Sequence, residues 1–130
     1  MIYITITYGK YAVLTSNKAR ELLRAALVKQ LFEMAVALFA FEHKNAIYVV
    51  FQEGDMPHPD MLFMEIKISS SKNVFRINLE PFVKQCLTIV RTDLSRYGKY
   101  DDKKTQIPVW VFHNKEFFLH KEENETETPH

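Results

Sequence analysis

The sequence predicts an α+β fold: two β-α-β units forming a two-layer sandwich, with a four-stranded or slightly larger sheet and two helices. Three observations predict it. Ile2–Tyr8 and Leu62–Ile68 alternate apolar and polar residues with the period of a strand. Two long stretches, one in each half, repeat apolar residues at helical spacing. Each helical stretch lies between strand-like segments, giving the order strand, helix, strand, strand, helix, strand.

In the first strand Ile2, Ile4, Ile6 and Tyr8 alternate with Tyr3, Thr5 and Thr7, and Gly9 ends the run. Thr15 or Ser16 then caps a helix whose stripe is Ala19, Leu22, Leu23, Ala26, Leu27, Leu31, Met34 and Ala35, with Lys18, Arg20, Arg24 and Lys29 mostly off it. The next stretch, "EMAVALFAFEH", is apolar all round, so it either extends the helix or starts a strand. "NAIYVVFQEG" reads as the second strand, and "GDMPHPD" as a loop broken by Gly54, Asp55, Pro57 and Pro59. In the third strand Leu62, Met64, Ile66 and Ile68 alternate with Phe63, Glu65 and Lys67, and "SSSKN" connects onward.

Asn78 is placed to cap the second helix, with Pro81 in its first turn and Gly98 at the left-handed position after its end. Leu79, Phe82, Val83, Cys86, Leu87, Val90, Leu94 and Tyr97 form its apolar face. A charged loop, "KYDDKK", precedes the last strand, "QIPVWVF", with Ile107, Val109 and Val111 on one side. A short hairpin from Phe117 to Leu119 is compatible with the residues after that strand. The reading is a single domain over 1–120, and a polar, disordered tail over 121–130. Its halves, about 1–53 and 61–112, have the same layout without repeating residues. Right-handed crossovers place both helices on one sheet face, and Ile, Val, Tyr and Phe on both faces of several strands predict that other subunits cover the second face.

Composition narrows the functional classes. Seventeen Lys and Arg against sixteen Asp and Glu leave a net charge of +1, too little to pull the chain onto nucleic acid or an anionic membrane. Cys86 is the only cysteine, so no internal disulfide forms, and no Cys/His cluster has zinc spacing. No apolar run approaches the ~20 residues that span a bilayer, and "MIYITITYGK" lacks the layout of a signal peptide. A cytoplasmic location is expected. The three glycines are isolated, so no phosphate cradle exists and no cofactor is expected.

Candidate chemistry is sparse. His43, His58, His113, His120 and His130 have no carboxylate or second histidine at ligand spacing, and read as exposed or structural. Glu53, Asp55 and Asp60 beside His58 could hold a cation, but such residues ordinarily form turns. Cys86 reads as a buried hydrophobe, and Lys103 and Lys104 as neutralising Asp101 and Asp102. Tyr97, Tyr100 and Trp110 with Arg96 and Lys99 would suit a stacking platform, which the balanced charge disfavours. Lys72 sits where a strand end meets a helix, a place where a cation and backbone N–H groups can together hold a carboxylate, although an exposed lysine in a serine loop is the simpler reading.

The layout of residues 1–120, the loop and strand "GDMPHPDMLFMEIKI" and the small-basic-polar run in "MEIKISSSKN" resemble the tautomerase superfamily, within it the 5-carboxymethyl-2-hydroxymuconate isomerase branch. The resemblance implies a trimer whose sheets pack into a barrel, and keto–enol isomerisation of a small anionic substrate. It also implies a catalytic amine at the chain start and basic side chains that hold carboxylates. Lys72 falls where the family has arginine, and His43 or Lys44 is nearest to its second basic position. Residue 2 is Ile2 where the family has its catalytic proline. Initiator methionine is removed efficiently only before small residues, so Met1 is expected to stay and its primary amine to stand in for the proline amine. The expectation is a tautomerase-like isomerase, either working through the Met1 amine or degenerate in catalysis because of Ile2, without metal, membrane or nucleic-acid partner. The alternative with the same element order is a non-enzymatic protein-interaction module of ferredoxin-like βαββαβ layout.

Overall fold

The computed structural model describes residues 2–10, 12–39, 47–57, 61–68, 74–98, 107–113 and 116–120. The strands are β1 (Ile2–Gly9), β2 (Ile47–Gly54), β3 (Leu62–Ile68), β4 (Val109–His113) and β5 (Glu116–His120); the helices are α1 (Asn17–Phe39) and α2 (Val74–Ser95). The sheet order is β2-β1-β3-β4-β5. β1 and β2 are parallel neighbours, as are β3 and β4, while β1 and β3 meet antiparallel at the centre. Two β-α-β units with matching layout therefore join back to back. In a ferredoxin-like arrangement another strand splits each β-α-β pair. Here the parallel strands touch directly, so the strand order departs from the ferredoxin-like alternative. β5 returns antiparallel on β4, which is the hairpin compatible with the end of the sequence.

The alternation seen in the sequence decides which side chains meet the helices. Ile2, Ile4 and Ile6 of β1 and Leu62, Met64, Ile66 and Ile68 of β3 are buried, and so are Ile47, Val49, Val109 and Val111. α1 and α2 lie side by side over this face, antiparallel because β1 and β3 are. α1 presents a narrow stripe, Ala19, Leu23, Leu27, Leu31 and Ala35, one residue per turn. Leu22, expected in that stripe, points off it and is exposed. The apolar "EMAVALF" continues α1 through Phe39.

Local chemistry fixes the element ends. Ser16 is the side-chain cap of α1: its Oγ accepts from the Ala19 N–H at 3.3 Å. Thr15 instead closes the preceding 3-10 turn, donating its hydroxyl to the Ala12 carbonyl at 2.9 Å. Arg20 ties this turn to the helix, donating to the Leu14 and Thr15 carbonyls at 2.9 and 3.0 Å. α2 begins at Val74, a turn before Asn78, because residues 74–77 extend it backwards. Pro81 accordingly lies inside the helix, and the bond to the Ile77 carbonyl is missing. Pro81 is exposed, so water can reach that side. Gly98 has φ +76° and its N–H bonds the Ser95 carbonyl at 2.9 Å, the left-handed ending expected of it. Tyr97, expected on the buried face, lies in this turn and is exposed.

Burial on α2 covers more of the helix than its apolar stripe. Ile89, Arg91 and Asp93 are also buried. Asp93 Oδ1 accepts from Arg96 Nη2 at 2.8 Å. Burial pushes the Asp93 carboxyl above its usual range, and the Arg96 charge partly opposes this.

This packing has two testable consequences. A Cβ on Gly54 would lie 2.7 Å from Thr7 Cγ2, and Thr7 is itself buried. Gly54→Ala should therefore cost about 1–3 kcal/mol in denaturant unfolding, and adding Thr7→Ser, which deletes the crowding methyl, should recover most of it. Asp93 has a raised folded pKa, so the folded state binds more protons there than the unfolded chain does. That contribution to stability is present below the ordinary carboxylate pKa and is lost as pH rises through the raised one. Asp93→Asn should flatten this part of the stability–pH curve above pH ~4, measured by thermal unfolding across pH.

Candidate functional site

The register of the sheet gathers one end of every strand. Ile2 faces Ile47 on one side and Ile68 on the other, Ile68 faces His113, and His113 faces Glu116. The row Ile47–Ile2–Ile68–His113–Glu116 thus marks the end at which β1, β2 and β5 begin and β3 and β4 finish. α2 starts at this end too, six residues beyond Ile68. Its first N–H groups carry the partial positive charge of a helix N-terminus. Ile2, Ile47, Ile68 and His113 are all buried.

Of the residues singled out from the sequence, Ile2 is fully buried and serves as a core side chain between β2 and β3. Met1, His43, Lys44 and Lys72 lie outside the described residues. The chain nevertheless tethers each of them to the row. Met1 is one residue from Ile2, Lys44 and His43 are three and four from Ile47, and Lys72 is four from Ile68. Four residues of extended chain reach at most about 14 Å.

His113, read as an exposed or structural histidine following the last strand, instead ends β4, on the buried side of the sheet. The signal was present in the alternation of Val109, Val111 and His113. Cys86 is buried, and desolvation pushes its thiol far up, so it supplies no thiolate nucleophile. Tyr97 and Trp110 do not form a stacking platform, because Tyr97 follows α2 in the helical layer and Trp110 faces away from it. Tyr100 and Lys99 lie outside the described residues, as do Lys103, Lys104, Asp101 and Asp102. His58 and Asp60 are outside them as well. Among the described residues no group of three His, Cys, Asp or Glu could hold a metal ion.

Among the described residues no helix lies on the second sheet face. Tyr3, Tyr48, Val50 and Trp110 are exposed on it, at 39–48% of their surface. Tyr3 and Tyr48 are register partners and stack, with ring centroids 4.9 Å apart. Along β3, Lys67 pairs with Glu65 at 3.0 Å, and its Nζ lies 5.8 Å from the ring centroid of Phe112 on β4. Four adjacent strands contribute to this face, where the apolar side chains flank Thr5 and the Lys67–Glu65 ion pair.

No helix among the described residues is long and apolar enough to cross a membrane. No protein-family model matches the sequence, and no curated protein matches it at the sequence level. Solved structures do resemble the fold. N1, a member of the cis-3-chloroacrylic acid dehalogenase family, matches at TM-score 0.58 with 14% identity, over 86% of this chain and 73% of its own. The protein Ps01740 matches at TM-score 0.51 with 9% identity, over 85% of this chain and 90% of its own. At these identities the likeness concerns architecture, and the architecture is a tautomerase-like α+β fold.

Proposed function

We propose that the protein is a tautomerase-type isomerase acting on a small anionic substrate at the sheet end marked by Ile2, in the manner of the hydroxymuconate isomerases it resembles. What supports this reading is the tautomerase-like fold together with the buried row Ile47–Ile2–Ile68, the described positions that stand nearest in sequence to Met1, His43, Lys44 and Lys72.

In this reading the Met1 amine is the general base and acid. It takes the proton from the enol hydroxyl and returns one to carbon, so the substrate is isomerised with no net gain or loss. An α-amine suits this role because it titrates near ~8 in water and falls toward neutrality in apolar surroundings. Lys72 holds the substrate carboxylate, helped by the N-terminus of α2, and His43 or Lys44 supplies a second positive charge. Lysine gives a point charge where arginine gives a two-pronged grip, so weaker and less selective binding is expected. The helix-free face is covered by two further copies in a trimer, burying Tyr3, Tyr48, Val50 and Trp110. That same exposed face supports the second reading, a non-enzymatic interaction module that binds another protein there and tolerates a monomer or dimer.

The test is a keto–enol assay with phenylenolpyruvate. Wild type should turn it over, Lys72→Ala should raise KM by about 10–100-fold with a smaller change in kcat, and Lys72→Arg should restore binding. No turnover by wild type, together with no ligand-induced rise in melting temperature, would eliminate the isomerase reading and leave the interaction module.

A further inference from the structure

We propose that Tyr3 and Tyr48 are an oxidative modification site: a one-electron oxidant couples their rings into a dityrosine that joins β2 covalently to β1. The proposal does not rest on the catalytic reading, which concerns the sheet end, whereas this pair stands on the open face of the single chain. Tyr3 and Tyr48 are register partners on parallel neighbouring strands, so their side chains leave the sheet side by side. Their rings stack with centroids 4.9 Å apart and planes 17° from parallel. Both residues are exposed, so an oxidant can take electrons from the pair and water can take the protons. The other described tyrosines stand apart from it. Tyr8 is buried on the helix side of β1, where its hydroxyl accepts from Arg20 Nη1 at 3.4 Å, and Tyr97 lies in the turn after α2.

Each phenol gives one electron to the oxidant and its hydroxyl proton to water. The phenoxyl radical left behind shares its spin between the oxygen and the two Cε carbons beside it. One Cε of Tyr3 bonds to one Cε of Tyr48, and the hydrogen on each joined carbon moves as a proton to the phenoxyl oxygen, restoring both aromatic rings. The product has one new C–C bond and two hydrogens fewer, and the oxidant has gained two electrons. A tyrosyl radical on an isolated side chain has to meet its partner by diffusion. Here the partner ring is already stacked against it, so coupling within the chain is favoured by proximity. The bond has a structural consequence. Among the described residues β2 joins the sheet through β1 alone, and the link closes a loop that contains all of α1, which restricts the unfolded chain as a disulfide does.

The test oxidises the dilute folded chain with photogenerated ruthenium(III) tris-bipyridine, persulfate being the final electron acceptor, and repeats the reaction on the chain unfolded in urea. Wild type should give a single-chain product two hydrogens lighter, whose digest joins the Tyr3 and Tyr48 peptides. It should form about tenfold faster or more in the folded chain than in urea. The purified product should melt several degrees above the unoxidised chain. Tyr3→Phe and Tyr48→Phe, which keep both rings and so the stack, should each abolish the product, while Tyr97→Phe should leave its yield unchanged. Links that join other tyrosines, links only between chains, a rate no greater than in urea, or an unchanged melting temperature would each overturn the proposal.

Discussion

The antiparallel seam between β1 and β3 is the constraint on which the rest of the structure depends. Along it Ile2 faces Ile68, Ile4 faces Ile66 and Ile6 faces Met64, all buried on the helix side. Burying each such side chain contributes roughly 1.5–3 kcal/mol. Neither β-α-β half can cover its own sheet edge at this line. Each supplies two parallel strands and one helix, and the seam joins them into one sheet while bringing α1 and α2 together above it. The antiparallel sense has a second effect: it reverses one half relative to the other, so the start of β1 meets the end of β3.

That reversal builds the candidate site. A chain start, a strand end, a helix start and the entry to β2 converge only because β1 lies between β2 and β3. Full burial of Ile2 then anchors the first residues of the chain at this place. The same residue carries a cost for the proposed chemistry, since a buried core isoleucine has no amine side chain or ring to offer in place of a terminal amine. The helix-free face is a product of the seam as well. With both helices drawn to one side, Tyr3, Tyr48, Val50 and Trp110 remain on the other.

Much of this was legible in the sequence because period-2 and helical alternation report directly which side of an element is buried. The Ile2–Tyr8 and Leu62–Ile68 strands, the narrow α1 stripe and the Gly98 ending are such cases. Strand neighbours were not legible, because alternation identifies the buried side of a strand and says nothing of the strand beside it. The order that departs from the ferredoxin-like layout could only be seen in space. The start of α2 was misplaced because Asn78 and Pro81 have the chemistry of a helix start while the residues before them continue the helix. Burial of Asp93 is not legible from the apolar stripe alone, because a polar residue is not counted there, although it sits in register with apolar neighbours. Of the candidate site, the sequence offered Lys72 and the chain start, and the sheet register showed that their tethers are adjacent.

Native-state hydrogen exchange read strand by strand tests the seam most directly. If it unites the two halves, amides in the middle of β1 and β3 exchange slowest, with a common opening free energy equal to that of global unfolding, while edge strand β2 exchanges faster. Separate opening free energies for the 1–53 and 61–112 halves, or a β1 that exchanges faster than β2, would contradict it.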